Sequence, residues 1–270
     1  MRPTFTFILN GMAKYQKEKI TLLKRTGDEM RWLVFLSSLV FLLPACDRDA
    51  RIVPPEPGRE YFPLQTGRWL EYQVDSTAIL FNQESRFSFQ ERQVVIDSFK
   101  NGAGSFTFLI ARYRRPDDGA AWKPVVGWQA RASEREAVVV QGNTPFVKMV
   151  FPTVPGVQWN GNLFNNLKGK EDCGDNVNFS CDQFSVEVEG VSYTNTQGKL
   201  FEETLLVVEH DEPDLITIHD VRKAHYAKNV GLVEREEVYL EYCSNGPCLG
   251  RQFVNKGWRV RVSLMDHGTQ

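Results

Sequence analysis

Four of the five cysteines fall into two close pairs, Cys173 with Cys181 and Cys243 with Cys248. Thiols so placed either oxidise to disulfides in an export compartment or hold a metal as thiolates. Neither spacing is the short pair of a zinc ribbon, so two disulfides are the expected use and a four-thiolate zinc site is the competing one. Between Cys243 and Cys248 stands Ser244-Asn245-Gly246-Pro247. A two-residue Asn-Gly hairpin turn there would set the cysteines opposite each other, with Cα atoms about 4.5–5.5 Å apart and within bonding range. Cys173 and Cys181 would then close an irregular loop.

The remaining reactive side chains point away from catalysis. His210, His219 and His225 invite a metal reading, but a hairpin turning at Asp211–Asp214 would set His210 opposite Leu215 and His219 opposite Leu206. Four residues along a ladder are roughly 13 Å, too far to share an ion, so these histidines are expected near strand ends. Asp172, Asp175, Asn176 and Asn178 lack the spacing of a calcium-binding EF-hand. There is no Gly-x-Ser-x-Gly elbow, no His-Glu-x-x-His and no phosphate-binding glycine loop. Glu202-Glu203 and Glu236-Glu237 put neighbouring carboxylates on opposite faces of a strand, where they read as solvated strand edges rather than an acid/base pair. No enzyme, cofactor or metal is expected. The candidate ligand contacts are Trp159, Asn160, Asn162, Phe164 and Asn165, which put aromatic faces beside amides on the longest irregular stretch, a combination suited to a glycan or an envelope partner. The same residues also read as a plug, with the rings closing one end of a sheet and the amides making turns.

Strands must position all of these. Leu70, Tyr72 and Val74 alternate with Glu71, Gln73 and Asp75; Phe87 and Phe89 with Arg86, Ser88 and Gln90; Phe184, Val186 and Val188 with Ser185, Glu187 and Glu189. Trp258, Val260, Val262 and Leu264 alternate with Arg259, Arg261 and Ser263, after an expected turn at Asn255-Lys256-Gly257. Period two marks half-buried strands. Further turns are expected at Lys100-Asn101-Gly102, Arg115–Gly119, Gln141-Gly142-Asn143 and Asp211–Asp214. No stretch has a capped helical stripe. Residues 61–270 are therefore expected to form one all-β domain, an antiparallel meander curled into a barrel-like sheet or stacked as a sandwich, with Val154–Asp182 as its one long irregular segment.

Ahead of that domain, Met30-Arg31 leads into an apolar run from Leu33 to Ala45 that stops at Cys46. The run is shorter than the ~20 residues a spanning helix needs and lacks a basic stop, so residues 30–45 read as a cleaved export signal. Its end, Leu43-Pro44-Ala45-Cys46, resembles the lipobox of bacterial lipoproteins, which implies lipidation of Cys46. Residues 1–29 are expected to be upstream sequence, with Met30 the true start; the competing reading is a long n-region supplied by Lys14, Lys17, Lys19, Lys24 and Arg25. Residues 46–60 carry three prolines and read as an extended tether. Asp47 resembles an inner-membrane retention signal, and acidic residues after the cysteine also resemble a surface-export signal. Seven basic and three acidic residues precede Cys46; of 32 and 34 in all, 25 and 31 remain, a net charge of −6. An acidic chain without a basic stripe excludes nucleic acid and an electrostatic grip on anionic lipid. The membrane partner is then the lipid anchor itself, in a bacterial cell envelope.

Tyr61–Tyr72, with its Pro63-Leu64-x-x-Gly67-x-Trp69-x-x-Tyr72 core, Gly156–Asn165, and Tyr226-Ala227-Lys228-Asn229-Val230-Gly231-Leu232-Val233 together resemble the recurring segments of a family of uncharacterised bacterial cell-envelope lipoproteins. Asn229 stands where the family pattern has glycine, and asparagine also tolerates positive φ. The resemblance implies an envelope lipoprotein and no assigned activity. Two roles remain: a binding or scaffold module, and a carrier of an apolar or lipid ligand in the cavity of a curled sheet. The abundance of Phe and Trp favours a filled interior and hence the first.

Overall fold

The computed structural model describes residues 58–100, 102, 105–165 and 183–270. The signal, Cys46, most of the tether, Cys173, Cys181 and the Asp172–Asn178 cluster lie outside the described residues. Twelve strands follow a short 3-10 turn at Arg59–Tyr61: β1 (Arg68–Leu80), β2 (Gln83–Lys100), β3 (Phe106–Arg115), β4 (Lys123–Ala132), β5 (Glu136–Gln141), β6 (Thr144–Val150), β7 (Gln158–Asn160), β8 (Gln183–Thr194), β9 (Leu200–Pro213), β10 (Ile218–Ala227), β11 (Gly231–Tyr242) and β12 (Val254–Thr269). They form one antiparallel sheet in the order β6-β5-β4-β3-β2-β1-β12-β11-β10-β9-β8-β7. Each strand pairs with its sequence neighbour, and β1 also pairs with β12, leaving β6 and β7 as edges.

The edges nearly meet. Val147 N–H of β6 donates to the Gly161 carbonyl just after β7, at 2.9 Å, and the Trp159 indole N–H donates to the Val147 carbonyl, also at 2.9 Å. Met149 and Ala137 from one side of this seam pack with Phe184, Val186, Leu205, Val207, Ala224 and Tyr226 from the other. The meander is thus a nearly closed barrel, which covers the unpaired edges that an open sheet would expose. The strands and their apolar clusters belong to one compact unit, Pro55–Gln270.

Local chemistry sets the turns. Leu80 pairs with Gln83, so Phe81 and Asn82 are the two central residues of a tight hairpin, with φ of 48° and 62°, the left-handed pair that matches strand twist. Gly142 (φ 63°) turns β5 into β6, and Asn229 (φ 59°) turns β10 into β11, as the sequence implies.

Four sequence expectations need correction. Asn255-Lys256-Gly257 lies inside β12, with Gly257 opposite Ile79 and Leu240; an added Cβ there would sit 2.3 Å from the Tyr239 carbonyl oxygen, so the glycine serves close approach of two backbones. The β9–β10 turn is Asp214–Thr217, because the Asp214 carboxylate accepts from the backbone N–H groups of Ile216 and Thr217. His210 therefore faces Arg222, His219 faces Pro213 and His225 faces Leu206. Glu202-Glu203 and Glu236-Glu237 sit on β9 and β11, each flanked by two strands, so neither pair marks a strand edge. The stretch from Val154 includes β7 and is not wholly irregular.

A candidate ligand cavity inside the barrel

Leu70, Tyr72, Val74 and Ser76 alternate along β1. Tyr72 faces Leu264, Val74 faces Val262 and Ser76 faces Val260 on β12, while on β2 Tyr72 faces Glu91 and Val74 faces Phe89. Residues directly opposite share a face, so this register sends one continuous wall inward. Together with Val95 and Ile110, and with Phe62–Leu64 from the segment before β1, it encloses a cavity of about 360 Å³, within the usual range for small-molecule sites. The alternate positions Gln73, Asp75, Arg259 and Arg261 point outward. On these two strands the outer face is therefore polar, without the apolar girdle of a membrane-spanning barrel.

The cavity wall also carries buried charge. Arg112 of β3 grips Glu91 with both ends of its fork, Nε to Oε1 at 2.9 Å and Nη2 to Oε2 at 2.6 Å. Arg114 Nε donates to the same carboxylate at 2.9 Å. The Arg112 guanidinium lies 3.7 Å from the Trp128 ring centroid. Across the barrel, Lys148 of β6 donates to Glu209 of β9 at 3.0 Å, and Arg235 of β11 donates to the other Glu209 oxygen at 2.6 Å. Arg235 also meets Glu237 at 2.8 Å. Burial opposes ionisation of Glu209, but Arg235 and then Lys148 outweigh it and hold the carboxyl at about 2. Burial likewise opposes the charge on Glu91, and Arg112 leads the interactions that keep it ionised. For Lys148, burial and then Arg235 push the ammonium below its ordinary value, against Glu209.

These charged residues are absent from the sequence reading, although each left a trace: Glu91 follows Phe89, Arg112 follows Ile110, Lys148 follows Phe146 and Glu209 follows Val207, all at strand period two. A charge in phase with an apolar face is the signal of a buried, paired group. Glu91 and Arg112 find each other across the consecutive strands β2 and β3, whereas Lys148 and Glu209 meet only where β6 and β9, far apart in sequence, converge.

The ligand contacts singled out from sequence sit at the barrel seam and none lines this cavity, although Asn162 lines the adjoining pocket with Lys148, Glu209 and Arg235. Trp159 packs edge-on against Phe184 with centroids 5.8 Å apart. The Asn160 side-chain oxygen accepts from the backbone N–H of Asn162. Asn165 donates to the Pro145 carbonyl at 2.7 Å and to the Asn162 side chain at 3.1 Å. Phe164 is exposed, with the Arg131 guanidinium 5.3 Å from its ring. Cys243 and Cys248 form a disulfide with Cα atoms 5.8 Å apart, but not across a two-residue hairpin. Cys243 N–H donates to the Phe253 carbonyl, and Gly246–Cys248 makes a 3-10 turn with Pro247 near its start, so the bridge lies within the β11–β12 loop. His225 is stacked on Tyr193 at 3.6 Å; burial, ahead of its charged neighbours, lowers it to about 4.

No protein family matches the sequence, and no curated protein does either. Two crystal structures are similar in shape. One is a Bacteroides fragilis protein described as exported and as having a YmcC-like fold, with a TM-score of 0.38 and 11% identity, covering 77% of this chain and 98% of that one. The other is a Parabacteroides distasonis protein described as a lipoprotein, with a TM-score of 0.38, 9% identity and the same coverage. Overlap at this level carries no function to the present chain.

Proposed function

We propose that this chain is a non-enzymatic, lipid-anchored protein of the bacterial cell envelope that carries an apolar ligand in its barrel. The cavity of about 360 Å³ among Leu70, Val74, Phe89, Ile110 and Val262 supports the carrier role over the scaffold role. The abundant aromatic residues do not fill it: Phe81, Phe87, Phe99, Phe106 and Phe164 are exposed, and Trp159 sits at the seam. The envelope address rests on the export signal and Cys46, and the Cys243–Cys248 bridge agrees with an oxidising compartment. The test is titration of residues 47–270 with the neutral dye N-phenyl-1-naphthylamine. Saturable fluorescence enhancement is expected, and Val74→Trp, which fills the cavity, should abolish it while the fold is retained. A wild-type domain that shows no saturable signal refutes the carrier reading.

A second reading, docking of an envelope partner, is favoured by one observation. Leu80, Phe81, Leu215, Ile216 and Leu249 are all exposed on three hairpin tips joined by the bonds from Phe81 N–H to Asn255 and from Tyr242 N–H to Thr217. Replacing Phe81 and Leu249 by Ser should then remove a photo-crosslink placed at Ile216 in cells and leave dye binding intact, whereas Val74→Trp should do the reverse.

A further inference from the structure

The cavity is apolar along β1 and β12 but not neutral. Five basic side chains, Arg68, Arg112, Arg114, Lys148 and Arg235, line it against two carboxylates, Glu91 and Glu209. Even when Glu237 is counted, which holds Arg235 from the adjoining pocket, the wall keeps an excess of two positive charges. The mature chain as a whole is acidic by six, so this concentration of cations runs against the overall composition. Two of the donors also lack an acceptor: Nε of Arg235 and Nε of Arg68 are buried with no hydrogen-bond partner among the described residues. A buried N–H without an acceptor is costly, and a guanidinium fork suits an oxyanion.

We infer that the ligand is a single-chain amphiphile with one acidic head, its carboxylate held at the Arg112–Lys148–Arg235 side and its chain lying along Leu70, Val74 and Val262. The inference rests on the carrier reading and adds the chemical class of the ligand. Size agrees: a cavity of about 360 Å³ lies at the small end of ligand sites and suits one medium chain. Charge agrees as well, because Lys148 and Arg235 repel each other across Glu209, with Glu237 also on Arg235, and an incoming anion offsets the positive excess that remains.

The experiment is displacement of N-phenyl-1-naphthylamine from residues 47–270 at pH 7.5 by three probes of equal chain length, each below its micelle concentration: dodecanoate, dodecanol and dodecylamine. Dodecanoate should displace the dye at a concentration at least ten-fold lower than dodecanol, with dodecylamine weakest. In Arg235→Gln the preference for dodecanoate over dodecanol should fall to within three-fold. Arg114→Gln, at a partly exposed position where folding is not at stake, should reduce it by a smaller factor. If wild type binds dodecanol as well as dodecanoate, the acidic head is refuted and the cavity reading stands. If the dye itself does not bind, both fall.

Discussion

Glu209 is 1% exposed and accepts from both Lys148 and Arg235, so its removal strands Lys148 inside the barrel and leaves Arg235 with Glu237 alone. Breaking one partner of a buried pair costs about 3–5 kcal/mol, and Glu209→Gln should lower unfolding stability by about that amount in urea titration at pH 7.5. The pH dependence follows from the same geometry. A carboxyl lowered from 4.5 to about 2 contributes stability that is fully present above pH 4.5 and is lost as pH falls toward 2. His225, lowered from 6.5 to about 4, acts in the same direction over a higher window, because the unfolded chain binds its proton first. Stability should therefore decline in two stages on acidification; His225→Phe should shrink the stage between pH 6.5 and 4, to which His267 also contributes, and Glu209→Gln the stage below 4.5, to which Glu91 also contributes. A flat urea midpoint from pH 7 to 3 would contradict both assignments. Of these groups only His225 stood out in the sequence, and as a metal candidate; Glu209, Lys148 and Arg235 did not, because a lone charge among alternating apolar residues looks like a solvated face until the opposite strand is known.

The elements were more legible than their ends. Period two located β1, β2, β8 and β12, and Gly142 and Asn229 turned where turn chemistry requires. The Asn-Lys-Gly stretch misled because a glycine can serve close backbone approach as well as a turn. Gly257→Ala should accordingly cost about 1–3 kcal/mol through forced separation of β11 and β12, whereas alanine at Gly198 meets no atom within 4 Å and should cost only the roughly 1–2 kcal/mol of its positive φ. Phe81 presents the converse case. A bulky residue at φ 48° is held against its preference by roughly 1–2 kcal/mol, so Phe81→Asn should raise the melting temperature; an unchanged or lower value would show that the exposed ring contributes more than its backbone costs. At the seam, Trp159→Ala removes both a ring packed on Phe184 and the donor to Val147, and a loss of about 3–5 kcal/mol is expected. Little change in the melt would return Trp159 to the role of an exposed platform.

At the scale of the whole molecule, the proposed anchor at Cys46 and the barrel would divide the work. The single antiparallel domain was legible because short alternating strands and frequent turns leave few alternatives. The cavity was not, because its size depends on which inward faces converge across the barrel, and the long aromatic inventory pointed to a filled interior. The division of labour sets the last prediction. The outward side chains of β1 and β12 are polar, with Arg261 bound to Glu236 at 2.8 Å, and residues 46–270 carry a net charge of −6, so neither of these two strands offers an apolar girdle and the charge offers no general grip on anionic lipid. Attachment should then come from acyl chains at Cys46, and one chain alone gives only reversible binding. Metabolic labelling with an alkynyl fatty acid should mark the wild-type protein and leave Cys46→Ser unmarked, and high salt should not release the labelled form because its attachment is not electrostatic. Cys46 lies before the first element of the barrel, so residues 47–270 should melt at the same temperature as the intact mature chain. Labelling of the Ser variant, or release of the wild type by salt, would place the attachment on the barrel surface and remove the reason for the tether.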